Sequence, residues 1–343
     1  MPPIPLPPER RPDGGPVRPG HYELLPIQPP EDEGFAQAVA KGLQSDAKSL
    51  PCRFLYDERG SQLFDRITQL DDYYPTRAER SILVGHADEV ARSVAAPAEL
   101  VELGSGSAAK TRVLIEALLR GQPDLRFVPI DISPGMLDAS SRALLADYAS
   151  LEVRAIEAEY EAGLREIGRL PTGRTRLIAW LGSSIGNLSR HAALAFVTSV
   201  GRSMRDRDRL LLGIDRRKDA ATLERAYDDR EGVTAAFNLN LLERINRELG
   251  GDFDLDAFHH RAVYLDGPGR VEMHLVSRVA QRVAIDELGC EIALERGEAI
   301  HTESAYKYSP GEVAELAAGA GLRVERSWTD AAERFSLNLL APA

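Results

Sequence analysis

The segment ELVELGSGSAAKT, Glu99 to Thr111, decides how the chain is read. Its first five residues form a short strand-like run with apolar positions; the run breaks at Gly104-Ser105-Gly106-Ser107 and passes directly into a helical pattern. Glycines at such a turn permit positive φ and let a ligand approach the backbone, and the helix that follows presents free N–H groups. A nucleotide-like ligand is expected at this turn.

Working outward, similar short apolar runs recur at Arg126–Asp131, Leu151–Ile156, Arg176–Gly182 and Arg209–Asp215, with helical patterns starting near Lys110, Pro134 and His191. Strands alternating with longer helices predict βαβ units and five parallel strands. The second strand ends in Asp131, 25 residues beyond Gly106, where a carboxylate can accept hydrogen bonds from both ribose hydroxyls. The third is followed by Glu159-Tyr160, a polar and aromatic pair suited to holding and covering an adenine.

From Lys218 to about Thr302 the rhythm changes. Helical stretches at Thr222–Asp228 and Val233–Leu249 precede strand-like Val271–Val279 and Arg282–Leu288, which predicts an inserted unit. A helix over Pro310–Ala320 and two strands, Leu322–Trp328 and Phe335–Leu340, then restore the first pattern. A closing β-hairpin on a parallel sheet is typical of class I methyltransferases, which favours S-adenosylmethionine (SAM) as the ligand. The glycine turn also satisfies GxGxxA, so NAD stays open, although no YxxxK follows the fourth strand. The fold class is α/β: a Rossmann-like SAM methyltransferase sheet with a closing hairpin, interrupted by an α+β lobe.

Composition narrows the partners. With 343 residues, 43% hydrophobic and 28% charged, the chain is globular and long enough for two lobes. Its net charge of −11 repels phosphate backbones and anionic membranes, so neither nucleic acid nor membrane is an expected partner. The start lacks the apolar stretch of a signal peptide, which points to the cytoplasm, and a monomer is expected. The two cysteines, Cys52 and Cys290, read as buried thiols, and the seven histidines show no metal-binding spacing, so no metal is expected. Residues 1–30 hold eleven of the 21 prolines and predict a disordered tail without assigned function.

Several longer stretches carry a family resemblance. They are Lys48–Arg80 (KSLPCRFLYDERGSQLFDRITQLDDYYPTRAER), Leu100–Arg112 (LVELGSGSAAKTR), Trp180–Leu188 (WLGSSIGNL), Ala226–Phe258, which contains GVTAAFN, and Trp328–Leu339 (WTDAAERFSLNL). Together they resemble, in order, the L-histidine Nα-methyltransferases of ergothioneine biosynthesis, SAM-dependent enzymes that trimethylate the α-amine of histidine to hercynine. The resemblance implies a substrate lobe of residues 31–77 and 218–305 and a SAM lobe of 78–217 and 306–343.

Carried over by that resemblance, SAM contacts fall on Tyr56, Gly104, Lys110, Asp131, Glu159 and Tyr160, the last two replacing a more usual Asp-Phe. Substrate contacts fall on Tyr73, Gly182, Asn187, Tyr227, Met273 and Glu303, with Tyr56 and Tyr73 in the catalytic role of orienting the amine. An Asn amide and a Tyr hydroxyl suit an α-carboxylate, and a Glu suits an imidazole N–H. Each also has an ordinary reading: Tyr73 as a core aromatic, Asn187 as a turn residue, Tyr227 as a packing residue and Glu303 as a solvated carboxylate. Arg77 and Glu79 are expected to form a lobe-joining ion pair.

One departure bears on substrate choice. The family segment TExSxK reads Thr302-Glu303-Ser304-Ala305-Tyr306-Lys307, so its serine is Ala305, and Ser304 would face the other side of a strand. Losing one ring hydrogen bond weakens histidine by on the order of 1 kcal/mol. The alternatives are another aromatic amino acid, such as the tryptophan derivative of ergot-type N-methyltransferases, a non-catalytic amino-acid binder, or the NAD-dependent dehydrogenase; Glu303 and Met273 favour histidine.

Overall fold

The computed structural model describes residues 17–27, 34–170 and 172–343. Strand β1 (Tyr22–Pro26) leads, followed by helices α1 (Phe35–Leu43), α2 (Glu58–Ile67) and α3 (Tyr74–Arg92). Then come β2 (Ala98–Leu103), α4 (Arg112–Leu119), β3 (Leu125–Asp131), α5 (Pro134–Asp147), β4 (Leu151–Glu157), α6 (Tyr160–Arg169), β5 (Thr175–Trp180), α7 (Arg190–Ser203) and β6 (Arg209–Asp215). The insertion comprises α8 (Ala220–Tyr227), α9 (Val233–Leu249), β7 (Phe258–Leu265), β8 (Arg270–Ser277), β9 (Gln281–Ile285), β10 (Cys290–Leu294) and β11 (Ala299–Tyr306). Helix α10 (Pro310–Gly319) and strands β12 (Leu322–Thr329) and β13 (Phe335–Pro342) close the chain.

The main sheet runs β1-β4-β3-β2-β5-β6-β13-β12, with β1 to β6 mutually parallel and the β12–β13 hairpin antiparallel. Alternation sorts its side chains onto two faces: Leu100, Phe127, Val153, Leu177 and Leu211 into one apolar core, Val101, Val128, Ile156, Ile178 and Leu210 into the other. The strand order reverses beside β2, between β3 and β5, and such a switch point opens a crevice at the carboxyl ends of the strands. Helix caps fix the starts of the adjoining helices. Ser133 accepts from Met136 N at α5, and Ser309 and Glu312 form a reciprocal capping box at α10.

Two expectations are corrected here. Five parallel strands become six, because Tyr22–Pro26, inside the segment read as a disordered tail, pairs in register with Val153–Glu157. A short YELLP run among prolines has little signal of its own; the exposed edge of β4 supplies its hydrogen-bond partners. The remainder of the tail expectation, residues 1–16 and 28–30, lies outside the described residues. The expected lobe boundary at residue 77 falls inside α3, which packs on α4 and β13 and so belongs with the main sheet from Tyr74 onward.

In the insertion, β11, β8 and β7 form an antiparallel sheet and β9 and β10 a hairpin. Helix α9 packs on α2 and β7, and a bridge from Ser49 to His301 ties the segment before α2 to β11. Among the described residues no helix is long and apolar enough to cross a membrane.

Candidate active site

A cavity of about 810 Å³ runs from the β2 turn to β11. At its sheet end Gly104 adopts φ +72°, and a Cβ there would lie 2.7 Å from the Tyr160 hydroxyl, so only glycine leaves room for that ring. Asp131 accepts from Gly106 N at 2.9 Å and from Ser133 N at 3.0 Å, which anchors the carboxylate against the glycine turn. Burial pushes its carboxyl up, and the backbone N–H groups pull it back. Tyr160 opens α6, meets Trp180 edge-on at 5.6 Å, and is pushed up to about 12 by burial and then by Asp131. Glu159 lines the cavity beside Arg53, 3.9 Å away. The buried Ser105 hydroxyl has no partner among the described residues. A glycine cradle, a ribose-type carboxylate and an aromatic cover meet at one turn, and this donor set fits a SAM adenosine.

Aromatic rings continue from that end toward the insertion. Tyr56 packs on Phe64 at 5.5 Å, Phe64 on Tyr73 at 6.3 Å, and Tyr73 on Tyr227 at 6.3 Å. Tyr56, Tyr73 and Tyr227 are all held well above their ordinary range, first by burial, so all three are neutral phenols. At the far end Glu303 is 6% exposed. Burial pushes its carboxyl up to about 7 against the pull of Lys307. Met273 is its cross-strand partner in β8, and Asn187 lines the cavity from the 3-10 turn Ser184–Asn187. A Cβ on Gly186 would lie 2.8 Å from Tyr306 O, so glycine is what lets this turn press against β11.

The supports explain why these side chains stay in place. Asp57 caps α2 through Gly60 N and also receives Asn240 and Arg247 of α9, while Arg244 donates to Phe54 O; the stretch carrying Tyr56 is thus clamped to α9. Asp229 accepts from Val233 N and Thr234 N at the start of α9, two residues after Tyr227. His260 Nε2 donates to Tyr227 O at 2.8 Å, and its Nδ1 accepts from Asn238, which fixes the tautomer.

Not every expected contact reaches the cavity. Tyr73, Tyr227, Met273, Lys110 and Gly182 stand outside its lining: Tyr73 and Tyr227 continue the ring series from Phe64, Met273 is buried beside Glu303, and Lys110 and Gly182 are both tied to Glu79, whose carboxylate pairs with Lys110 Nζ and accepts from Gly182 N at 2.8 Å. The expected Arg77–Glu79 ion pair is therefore corrected. Residues i and i+2 diverge on a helix; Arg77 instead donates to the carbonyls of Leu70 and Asp71, and Glu79, fully buried, serves the β2 and β5 turns.

Several cavity residues carried no usable sequence signal. Phe64 and Cys52 line the wall; burial and the nearby Glu303 push the Cys52 thiol up to about 12. Cys52 and Cys290 are free and half-buried. His301 and Ser304 both line the cavity and meet at 3.0 Å through Ser304 Oγ, while Ala305 stands outside the lining and packs with Leu223 and Val271. The bulge in β11 falls between His301 and Glu303, ahead of both, and the expectation that Ser304 faces away from the site is corrected, since Ser304 rather than Ala305 reaches the cavity.

The family described as histidine-specific methyltransferase, SAM-dependent, matches residues 35–342. A histidine N-alpha-methyltransferase of Mycobacterium tuberculosis is 46% identical over 91% of this chain and 97% of its own length. Its counterpart in Mycolicibacterium smegmatis is 42% identical over 90% and 94%. A 4-dimethylallyltryptophan N-methyltransferase of Claviceps purpurea is 25% identical over 87% and 92%. With that match spanning both lobes and the whole cavity, the chain belongs to the family of histidine-specific, SAM-dependent methyltransferases.

Proposed function

We propose that this enzyme trimethylates the α-amine of L-histidine, holding the imidazole at Glu303 and the α-carboxylate between Asn187 and Tyr227. The observation that carries the reading is Glu303: a buried carboxyl at the far end of the cavity, raised to about 7, matches an imidazole in both proton affinity and hydrogen-bonding role. SAM supplies an electrophilic methyl group on a sulfonium. Gly104, Asp131, Glu159 and Tyr160 would hold its adenosine side, and Tyr56 stands between that end and the aromatic corridor.

The protein's own contribution is orientation. Each transfer needs the neutral amine, and the proton released before each of the three steps passes to solvent, so the reaction asks the phenols for orientation and not for proton abstraction. Tyr56 and Tyr73, fixed as phenols, hold the lone pair in line rather than remove the proton, and near-attack positioning is worth several kcal/mol. As methyl groups accumulate, the same ring faces attract the growing ammonium. All residues assigned to the site come from one chain, and the enzyme is proposed to act as a monomer on free amino acid in the cytoplasm.

The deciding experiment incubates the enzyme and SAM with an equimolar mixture of the twenty amino acids and resolves products by mass spectrometry. Mono-, di- and trimethylhistidine are expected. Methylated tryptophan or tyrosine in their place, or no methylated product, overturns the histidine reading.

A further inference from the structure

Behind Tyr227 lies a buried ionic cluster that the methyl-transfer reading does not use. Lys307 Nζ stands 2.8 Å from Asp215 Oδ2 and 2.7 Å from Tyr227 Oη; Lys307 and Asp215 are each 1% exposed. Lys218 Nζ stands 2.6 Å from Asp215 Oδ1 and 2.6 Å from the Tyr74 hydroxyl, which itself donates to Asp215. Two ammonium groups thus share one carboxylate. Arg334, over the Tyr74 ring, is matched by Asp330, and the remaining nearby carboxyl is Glu303, the proposed partner of the substrate ring.

An ammonium has three donors and no acceptor. In the Lys307–Tyr227 bond the phenol oxygen must therefore accept, and the Tyr227 hydrogen is left to donate away from the cluster. The cation also polarises that O–H. Near pH 7 the two ammonium groups outweigh Asp215, and Glu303, raised to about 7, offsets the excess only in part. A buried excess of positive charge is costly without an anion to complete it, and an amino acid carboxylate at Tyr227 is such an anion.

We infer that Lys307 is the positioning residue through which the site selects a free α-carboxylate: it fixes Tyr227 as a donor and, with Lys218, leaves one positive charge more than Asp215 cancels. This rests on the placement of the substrate carboxylate at Tyr227. Lys307→Met leaves Asp215 with Lys218 and Tyr74 as partners, so it strands no buried charge.

The test compares dissociation constants of L-histidine and its neutral analogue L-histidinamide for the S-adenosylhomocysteine-bound protein by calorimetry. Lys307→Met is expected to cut the preference for histidine by roughly tenfold or more, with S-adenosylhomocysteine affinity unchanged. A packing role alone would weaken both ligands equally, and an unchanged ratio overturns the inference. Asp215→Asn, which removes the anion, is expected to move the ratio the opposite way; a fall there overturns the inference even if Lys307→Met does not fold. Tyr227→Phe separates the two readings. A ratio that falls in Tyr227→Phe but not in Lys307→Met removes Lys307 and keeps the carboxylate at Tyr227, whereas a ratio untouched by Tyr227→Phe removes both.

Discussion

Glu303 and the histidine imidazole, with ordinary imidazole pKa about 6.5, titrate in the same range once burial has raised the carboxyl to about 7. Their proposed pairing weakens as pH falls below that range, because both then carry a proton. Histidine affinity is expected to drop from pH 8 to pH 6 in the native enzyme; Glu303→Gln flattens that profile and costs roughly 10- to 100-fold in binding. Stability runs the other way. The folded carboxyl holds its proton above the unfolded value of 4.5, so its favourable contribution is complete below that value and is lost as pH rises toward about 7. The melting temperature of unliganded Glu303→Gln should therefore be less sensitive to pH between 5 and 7. At Ala305, on the Glu303 face of β11, Ala305→Ser is expected to tighten histidine by about 1 kcal/mol if the hydroxyl reaches the ring; calorimetry showing weaker binding would mean that the Leu223 and Val271 contacts dominate.

Strand β1 makes its own prediction, since it closes one edge of the main sheet far in sequence from the strand it pairs with. Leu24 packs against the core beneath it, so Leu24→Asp should destabilise by about 2 kcal/mol and leave kcat unchanged, as urea unfolding and initial rates would show. A lowered kcat with unchanged stability would place β1 in the site instead. The same strand marks where legibility in the sequence ends. The strands β2 to β6 declare themselves because each is an apolar run buried on both faces, and the closing hairpin because its two runs flank a turn. β1 is defined by its partner rather than by its composition. β11 is harder still: HTESAY reads as a polar exposed stretch, yet Thr302, Glu303 and the following Lys307 are buried because Met273 O, the cavity and Asp215 receive them. The glycine turn was legible from local chemistry, and the proposed substrate residues rest on the family resemblance; Lys307, His260 and Glu79 act through long-range contacts that no local pattern encodes.

Across the whole molecule the two ligand ends are parts of one cavity, and Glu79 spans their supports. It reaches from α3 to Lys110 after β2 and to Gly182 after β5, so the turn on the cofactor side and the turn leading to Asn187 share one buried carboxylate. Ordering one turn orders the other, and linkage requires any such coupling to be reciprocal. S-adenosylhomocysteine at saturation is expected to tighten histidine by about 5- to 10-fold, and histidine to tighten S-adenosylhomocysteine by the same factor. Glu79→Gln can still accept from Gly182 N but loses the charge that holds Lys110, so the factor should fall toward one. Titrations of each ligand with and without the other, in both proteins, give the four dissociation constants for each. If Glu79→Gln weakens both ligands while the factor stays at its native value, Glu79 is packing alone and the two turns communicate by another route.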